Sequence, residues 1–163
     1  MTLQNYLKYF DDVVQPTEQL FRMIPPDKID WKPTESSFSL GQQIAHISGA
    51  LSVYARGISK GEWGFKSMRE RFVLNRHTPS LTVDEALVEL KKGCDEFKSL
   101  IGSLSEREFD DEQIDSPQLG RAPRWRLAML AIEHHLNHKA EPHASALASI
   151  SSIVAWLTHT SRT

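Results

Sequence analysis

Apolar residues recur at Leu3, Tyr6, Leu7, Phe10, Val13, Val14, Leu20, Phe21 and Ile24, a 3.6-residue stripe that predicts a first amphipathic helix ending at Pro25-Pro26. Pro16 lies inside that stripe; it has no N–H for the carbonyl of residue 12 and crowds it, so a kink or break is expected there. A turn-rich stretch follows from Asp27 to Ser37. Ser39 and Gln42 have capping-box spacing, and Leu40, Ile44, Ile47, Leu51, Tyr54 and Ile58 mark one face of a second helix that stops near Gly61. Residues 59–80 hold Gly61, Trp63, Gly64, Phe65, the charged run Arg69-Glu70-Arg71 and Thr78-Pro79, with only a short helical pattern, and read as a long crossover loop. Thr82 and Glu85 repeat the capping box, and Val83, Ala86, Leu87, Leu90, Cys94, Phe97 and Ile101 continue as a third helix up to Gly102. A further loop carries Pro117, Gly120 and Pro123, and a fourth helix runs from about Arg124 through Leu127, Leu130, Ala131, His134 and His138. No alternating segment competes, so the expected fold is all-α, four helices around one core in a single domain spanning residues 1–163.

Composition narrows the chemistry. Basic residues number 19 against 21 acidic ones, a formal charge of −2, where a protein that grips phosphate backbones shows a basic excess. Nucleic acid is therefore not an expected partner. Nor is the membrane: even the apolar tail from Leu147 to Leu157 is interrupted by Ser149, Ser151 and Ser152. The N-terminus has no secretory pattern, and with one cysteine no internal disulfide can form; both point to the cytoplasm. Cys94 falls on the apolar stripe of the third helix and reads as a core filler. One cysteine against seven histidines leaves room for a metal site built from nitrogen ligands alone.

His134 and His138 share the inward face of the fourth helix with Leu127, Leu130 and Ala131, and imidazoles one turn apart can converge on one cation. Two imidazoles continuing an apolar stripe each need a buried partner, and a metal satisfies both; a solvated pair is the alternative. A third candidate is His46, at the edge of the second helix's stripe beside Ser39, Gln43, Ala50 and Gly57, small or polar neighbours that let another helix approach. His135, rotated about 100° from His134, reads as an outer group or one that bonds to a ligand. His77, His143 and His159 sit in a loop or toward the tail and read as bystanders. The residue after His134 is His135 rather than Glu, which excludes the zincin His-Glu-x-x-His, and no Glu-x-x-His occurs anywhere, which excludes the ferritin-like di-iron pattern.

Taken together, the run Ile29-Asp30-Trp31-Lys32-Pro33 through Ser39-Leu40, then Ile44-Ala45-His46-Ile47, and later His134-x-x-x-His138-Lys139-Ala140-Glu141 resembles the DinB/YfiT-like family, over roughly residues 1 to 142. Members open with a Trp-x-Pro turn before a helix carrying one His and close with a His-x-x-x-His helix. The resemblance implies a four-helix bundle with a long connection between helices two and three, often a homodimer. It also implies a divalent metal on His46, His134 and His138, zinc or nickel first, iron or manganese as alternatives. Members include transferases that move low-molecular-weight thiols onto electrophiles, thiol-dependent isomerases and metal-dependent hydrolases. Two departures stand out: Glu141 replaces the usual Gln, and Pro142 follows, so the helix should kink or end there. Residues 142–163 extend beyond the match and read as an extra C-terminal helix.

Three protein nitrogens with one position left open is the arrangement of a catalytic rather than a structural zinc-type site. The expected function is thus a metal-dependent enzyme, a thiol-dependent transferase or a hydrolase, acting on a small electrophilic substrate. With Cys94 in the core, the nucleophilic sulfur would come from a low-molecular-weight thiol cosubstrate. The alternative is a non-catalytic metal-binding or stress-response bundle acting through its dimer interface. Glu141 reads as the one catalytic candidate besides the ligands, as a base or a carboxylate bonding to a ligand; its other reading is an exposed helix-end Glu. Arg121, Arg124 and Arg126 crowd a helix N-terminus, where the dipole disfavours cations, and are assigned to an anionic substrate group, interchain ion pairs or a solvated patch. Trp63 and Phe65 read as a pocket mouth or as a cover over the core or a dimer face. Met129, Ile132 and Leu136 give the fourth helix a second apolar side, for a partner subunit or the tail.

Overall fold

The computed structural model describes residues 1–139, and the helices form where the caps and stripes place them. α1 (Leu3–Val14) starts at Thr2, whose hydroxyl accepts from the Asn5 N–H, and buries Leu3, Tyr6, Phe10, Val13 and Val14. The stripe breaks at Pro16, which opens α2 (Pro16–Arg22) at the position where a missing N–H costs nothing. A 3-10 turn (Pro26–Lys28) leads to α3 (Leu40–Lys60), which has the full Ser39–Gln42 capping box and ends at Gly61, held at φ 77° where an L side chain would be strained. α5 (Val83–Gly102) carries the second capping box, Thr82 with Glu85.

Two connections contain more than loop. Within residues 59–80, Ser67 accepts from the Glu70 N–H and starts a short helix, α4 (Met68–Asn75), none of whose residues is buried. Its apolar residues have little helical asymmetry, so periodicity could not announce it. After α5, a third capping box at Ser105 and Glu108 starts α6 (Glu106–Asp110). A small antiparallel hairpin follows, β1 (Gln113–Ser116) with β2 (Gly120–Pro123), in place of the expected loop. Its strands are four residues each, too short for an alternating pattern to register, and the all-α class stands. The last helix, α7, is described over residues 124–139. Glu141, Pro142, His143, His159 and the 142–163 extension lie outside the described residues.

Side-chain bonds between helices fix their directions. Ser48 donates to the Ala86 carbonyl at 2.9 Å and Arg56 pairs with Glu96 at 3.1 Å, so α3 and α5 run parallel. Parallel neighbours in sequence need a return path, which the α4 segment provides. Arg124 meets Ile58, and His134 meets His46, so α3 and α7 are antiparallel. α1 lies against α5 and α7: Phe10 stacks on Phe97 with ring centroids 4.3 Å apart, and the buried Tyr6 hydroxyl donates to the Ala128 carbonyl at 2.8 Å. The core runs from Tyr6 and Phe10 through Ile44, Leu51 and Phe97 to Leu127, all fully buried, each large side chain contributing about 1.5–3 kcal/mol. No helix among the described residues is long and apolar enough to cross a membrane.

Candidate metal centre

Three of the seven histidines converge. His46 is set on the inner face of α3, while His134 and His138 stand one turn apart on α7, and the antiparallel packing brings the two helices together at this level. Available ring nitrogens of His46, His134 and His138 all lie within 4.8 Å of one another. The His46 and His134 Nε2 atoms are 3.3 Å apart. Two nitrogens each about 2.05 Å from a tetrahedral ion would be separated by about 3.3 Å, so the residues present fit a divalent metal.

The electrostatics agree with the geometry. Burial, reinforced by the charges of His138 and Arg71, lowers His46 from 6.5 to about 4; burial, His138, His46, Arg71 and His135 lower His134 to about 3. Both imidazoles are therefore neutral at pH 7, the form that ligates metal. The rings pack against each other and against Tyr54, whose centroid is 5.4 Å from that of His134. Tyr54 in turn meets Trp63 edge-on, and burial pushes its phenol up to about 12, so it is a neutral hydroxyl.

His46, His134 and His138 open into a cavity of about 500 Å³ walled by Phe38, Val53 and Tyr54, by Arg71 and Phe72 of α4, and by Gln118 from the hairpin turn. That is the size range of small-molecule sites. A separate groove of about 370 Å³ beside Tyr6, Phe109, Trp125 and Met129 shares no residue with it.

Other sequence assignments change. His135 is neither outer nor part of this cluster. It is 2% exposed and bonds through Nε2 to the Thr17 hydroxyl at 2.8 Å, because the 100° step from His134 turns it into the core beneath α2. Arg124 serves no anionic substrate: its guanidinium reaches the Ile58 and Glu108 carbonyls and the Glu112 carboxylate at 2.6 Å, tying α7 to α3 and α6. Arg126 pairs within its own helix with Glu133. Trp63 and Phe65 are buried, and Trp63 lies on Gly57 with its indole N–H donating to the Asp115 carbonyl, so they cover the core. Of the second apolar side of α7, Ile132 is buried in this chain's own core while Leu136 stays exposed. Cys94 packs partly buried against the core, and burial pushes its thiol up to about 11.

Tyr54, Arg71 and Gln118 were not singled out by the sequence as site residues. Tyr54 appeared only as a core position, and Arg71 only within a charged run. Arg71 and Gln118 reach the cavity through tertiary packing that leaves no local periodic signal, and the stripe that marks Tyr54 does not tell a core position from a cavity wall.

Residues 9–141 match the sequence profile of the DinB superfamily. The uncharacterized protein YjoA of Bacillus subtilis strain 168 is 26% identical over 125 residues, 76% of this chain and 75% of YjoA. The crystal structure of the DinB-like protein YjoA from B. subtilis has a TM-score of 0.66 at 21% identity, over 89% of this chain and 92% of that one. A crystal structure from Streptococcus pneumoniae gives the same TM-score at 12% identity, over 93% and 91% of the two chains. The fold is theirs, and the profile match spans most of the chain and all three converging histidines: the chain belongs to the DinB superfamily.

Proposed function

We propose that this chain is a metal-dependent enzyme, a thiol-dependent transferase or a hydrolase, that acts on a small electrophilic substrate at His46, His134 and His138. The observation that carries the reading is the joining of these three converging histidines to a cavity of about 500 Å³. A site meant only to hold a metal for stability is usually closed by a fourth protein ligand, whereas among the described residues this cluster faces a cavity. A divalent metal, zinc or nickel by the nitrogen donor set, supplies Lewis acidity and lowers the pKa of a bound water or thiol.

The chain's own residues define the rest. His46 and His134 present lone pairs without first having to lose protons at neutral pH, and His138 stands one turn from His134 to complete the set. Phe38, Val53 and Phe72 give the substrate an apolar wall, and the Tyr54 hydroxyl stays protonated and able to donate. Cys94 lines a different groove, so the sulfur of a thiol transfer comes from a low-molecular-weight thiol cosubstrate. Glu141 follows His138 by three residues and is the candidate base. We assign the protein to the cytoplasm as a homodimer; the exposed Phe72, Val73 and Leu74 on α4 offer apolar surface for a second copy.

Metal analysis of the untagged protein is the test. About one equivalent of zinc or nickel should bind, and at metal a hundredfold above Kd the fold gains about 2.7 kcal/mol, a gain that His46→Ala abolishes. Incubating the loaded protein with low-molecular-weight thiols and a chromogenic electrophile then reads turnover. Absence of bound metal, with no thermal response to its addition, overturns the metalloenzyme reading. Bound metal with inertness toward every thiol and ester offered favours the non-catalytic, dimer-acting alternative.

A further inference from the structure

Among the described residues, the cavity beside the histidines contains more positive charge than its walls answer. Arg71 projects from α4 into it, about half-buried, with its guanidinium carbon 5.3 Å from the centre of the Phe65 ring. Among the described residues no carboxylate forms an ion pair with it, and no Asp or Glu lines the cavity; Arg76 adds a second guanidinium at the rim. The carboxylate whose charge reaches Tyr54, that of Glu133, is held by Arg126 at 3.2 Å. Gln118 lines the same space with a buried Oε1 that has no hydrogen-bond partner among the described residues.

A half-buried guanidinium without an anion has lost part of its hydration uncompensated, and the cost rises when a dication sits in the same cavity. The charge balance closes when a ligand brings a negative group between the guanidinium and the histidines. Guanidinium presents paired N–H donors in a planar fork that suits a carboxylate or phosphoryl oxygen pair. Phe38, Phe72 and Val53 leave apolar wall for the rest of such a molecule, and Gln118 can bond to a polar group on it.

We propose that Arg71 is the anion-recognition residue of this site, so that the substrate is a small organic oxyanion, a carboxylate or phosphate ester with an apolar body, held with its charged end on Arg71. This rests on the metalloenzyme reading for its place in a reaction, but Arg71 can be tested without metal. Benzoate, phenyl phosphate and benzyl alcohol are titrated by calorimetry into wild type, Arg71→Gln and Arg71→Lys, each as apo protein and with one equivalent of zinc. At least one of the two anions should bind wild type roughly tenfold or more tightly than the neutral alcohol, and the preferred anion tells carboxylate from phosphate. Arg71→Gln should lose that preference, Arg71→Lys should keep part of it, and zinc should tighten anion binding. Zinc affinity itself should be unchanged or higher in Arg71→Gln, because a like charge is gone. If neither anion is preferred over benzyl alcohol, or Arg71→Gln binds them as well as wild type, the assignment is overturned. If zinc fails to bind while apo wild type still prefers an anion through Arg71, the metalloenzyme reading falls and the anion site stands.

Discussion

Thr17→Val removes one oxygen from the interior and almost nothing else. Thr17 is fully buried and its hydroxyl is 2.8 Å from Nε2 of His135, itself 2% exposed. A valine of the same shape leaves the imidazole nitrogen without a partner, which costs about 1–3 kcal/mol. For a chain of this size each kcal/mol moves Tm by about 2–4 °C, so the variant should melt roughly 2–12 °C lower. The same histidine makes stability depend on acid. Burial first, then the Lys139 and His138 charges, hold it at about 4 against the usual 6.5. Above pH 6.5 neither state of the chain binds this proton and the fold has its full stability. Between pH 6.5 and 4 the unfolded chain takes the proton up and the folded one does not, so about 3 kcal/mol is lost as pH falls across that window. Urea unfolding at pH 7.5, 6, 5 and 4.5, with EDTA present to exclude metal, should show a steeper fall in wild type, where the depressed His46 and His134 add to the His135 contribution, than in His135→Leu, where only the first two remain. The double variant Thr17→Val/His135→Leu, with two apolar groups in contact, should be less destabilised than the sum of the single variants by about 1 kcal/mol. A Thr17→Val protein within about 0.3 kcal/mol of wild type, or equal acid slopes with and without His135, would refute the reasoning.

Three further expectations follow from the packing. Arg124→Ala should cost about 1–3 kcal/mol by urea denaturation, since two carbonyls and the Glu112 carboxylate lose their donor, while zinc affinity is unchanged; an equal loss of both would mean that the strap shapes the metal site. Gly57→Ala places a methyl carbon against the Trp63 ring, where the gap to the nearest ring atoms is under 3 Å, and should cost about 1–3 kcal/mol with a red shift in tryptophan emission. Cys94, with its thiol pushed up to about 11, should react with iodoacetamide at pH 7 far more slowly in the folded than in the urea-denatured protein. Cys94→Ala should retain metal binding and any thiol-transfer activity.

Much of the helical framework could be read directly because it is written locally. Capping boxes at Ser39–Gln42 and Thr82–Glu85, the proline at residue 16 and the left-handed Gly61 each act within one turn, and each forms as its own residues require. The α4 helix and the β1–β2 hairpin escaped because they are short and solvent-facing, so no stripe of buried residues marks them. At the site, His134 and His138 announce themselves by their spacing within one helix. Pairing them with His46, 88 residues earlier, required the family resemblance as well as the helical pattern. His135 shows the limit of angular reasoning: a 100° rotation away from the ligands gave its direction but could not tell solvent from the Thr17 pocket. Arg124 shows the same for charge, since proximity to a helix N-terminus argued for a substrate anion while the guanidinium is spent on carbonyls of α3 and α6.

The sequence by itself determined the number and extent of the main helices, the faces they bury and the nitrogen-only character of the site, because caps, prolines and 3.6-residue periodicity act over a few residues. Only the tertiary structure decided what those faces meet. The parallel packing of α3 and α5 and the antiparallel packing of α3 and α7 bring three imidazoles within 4.8 Å, send His135 into the core and carry Arg71 on the crossover helix into the cavity. These are contacts between residues far apart in the chain. The burial energy that selects them belongs to the assembled helices rather than to any one segment.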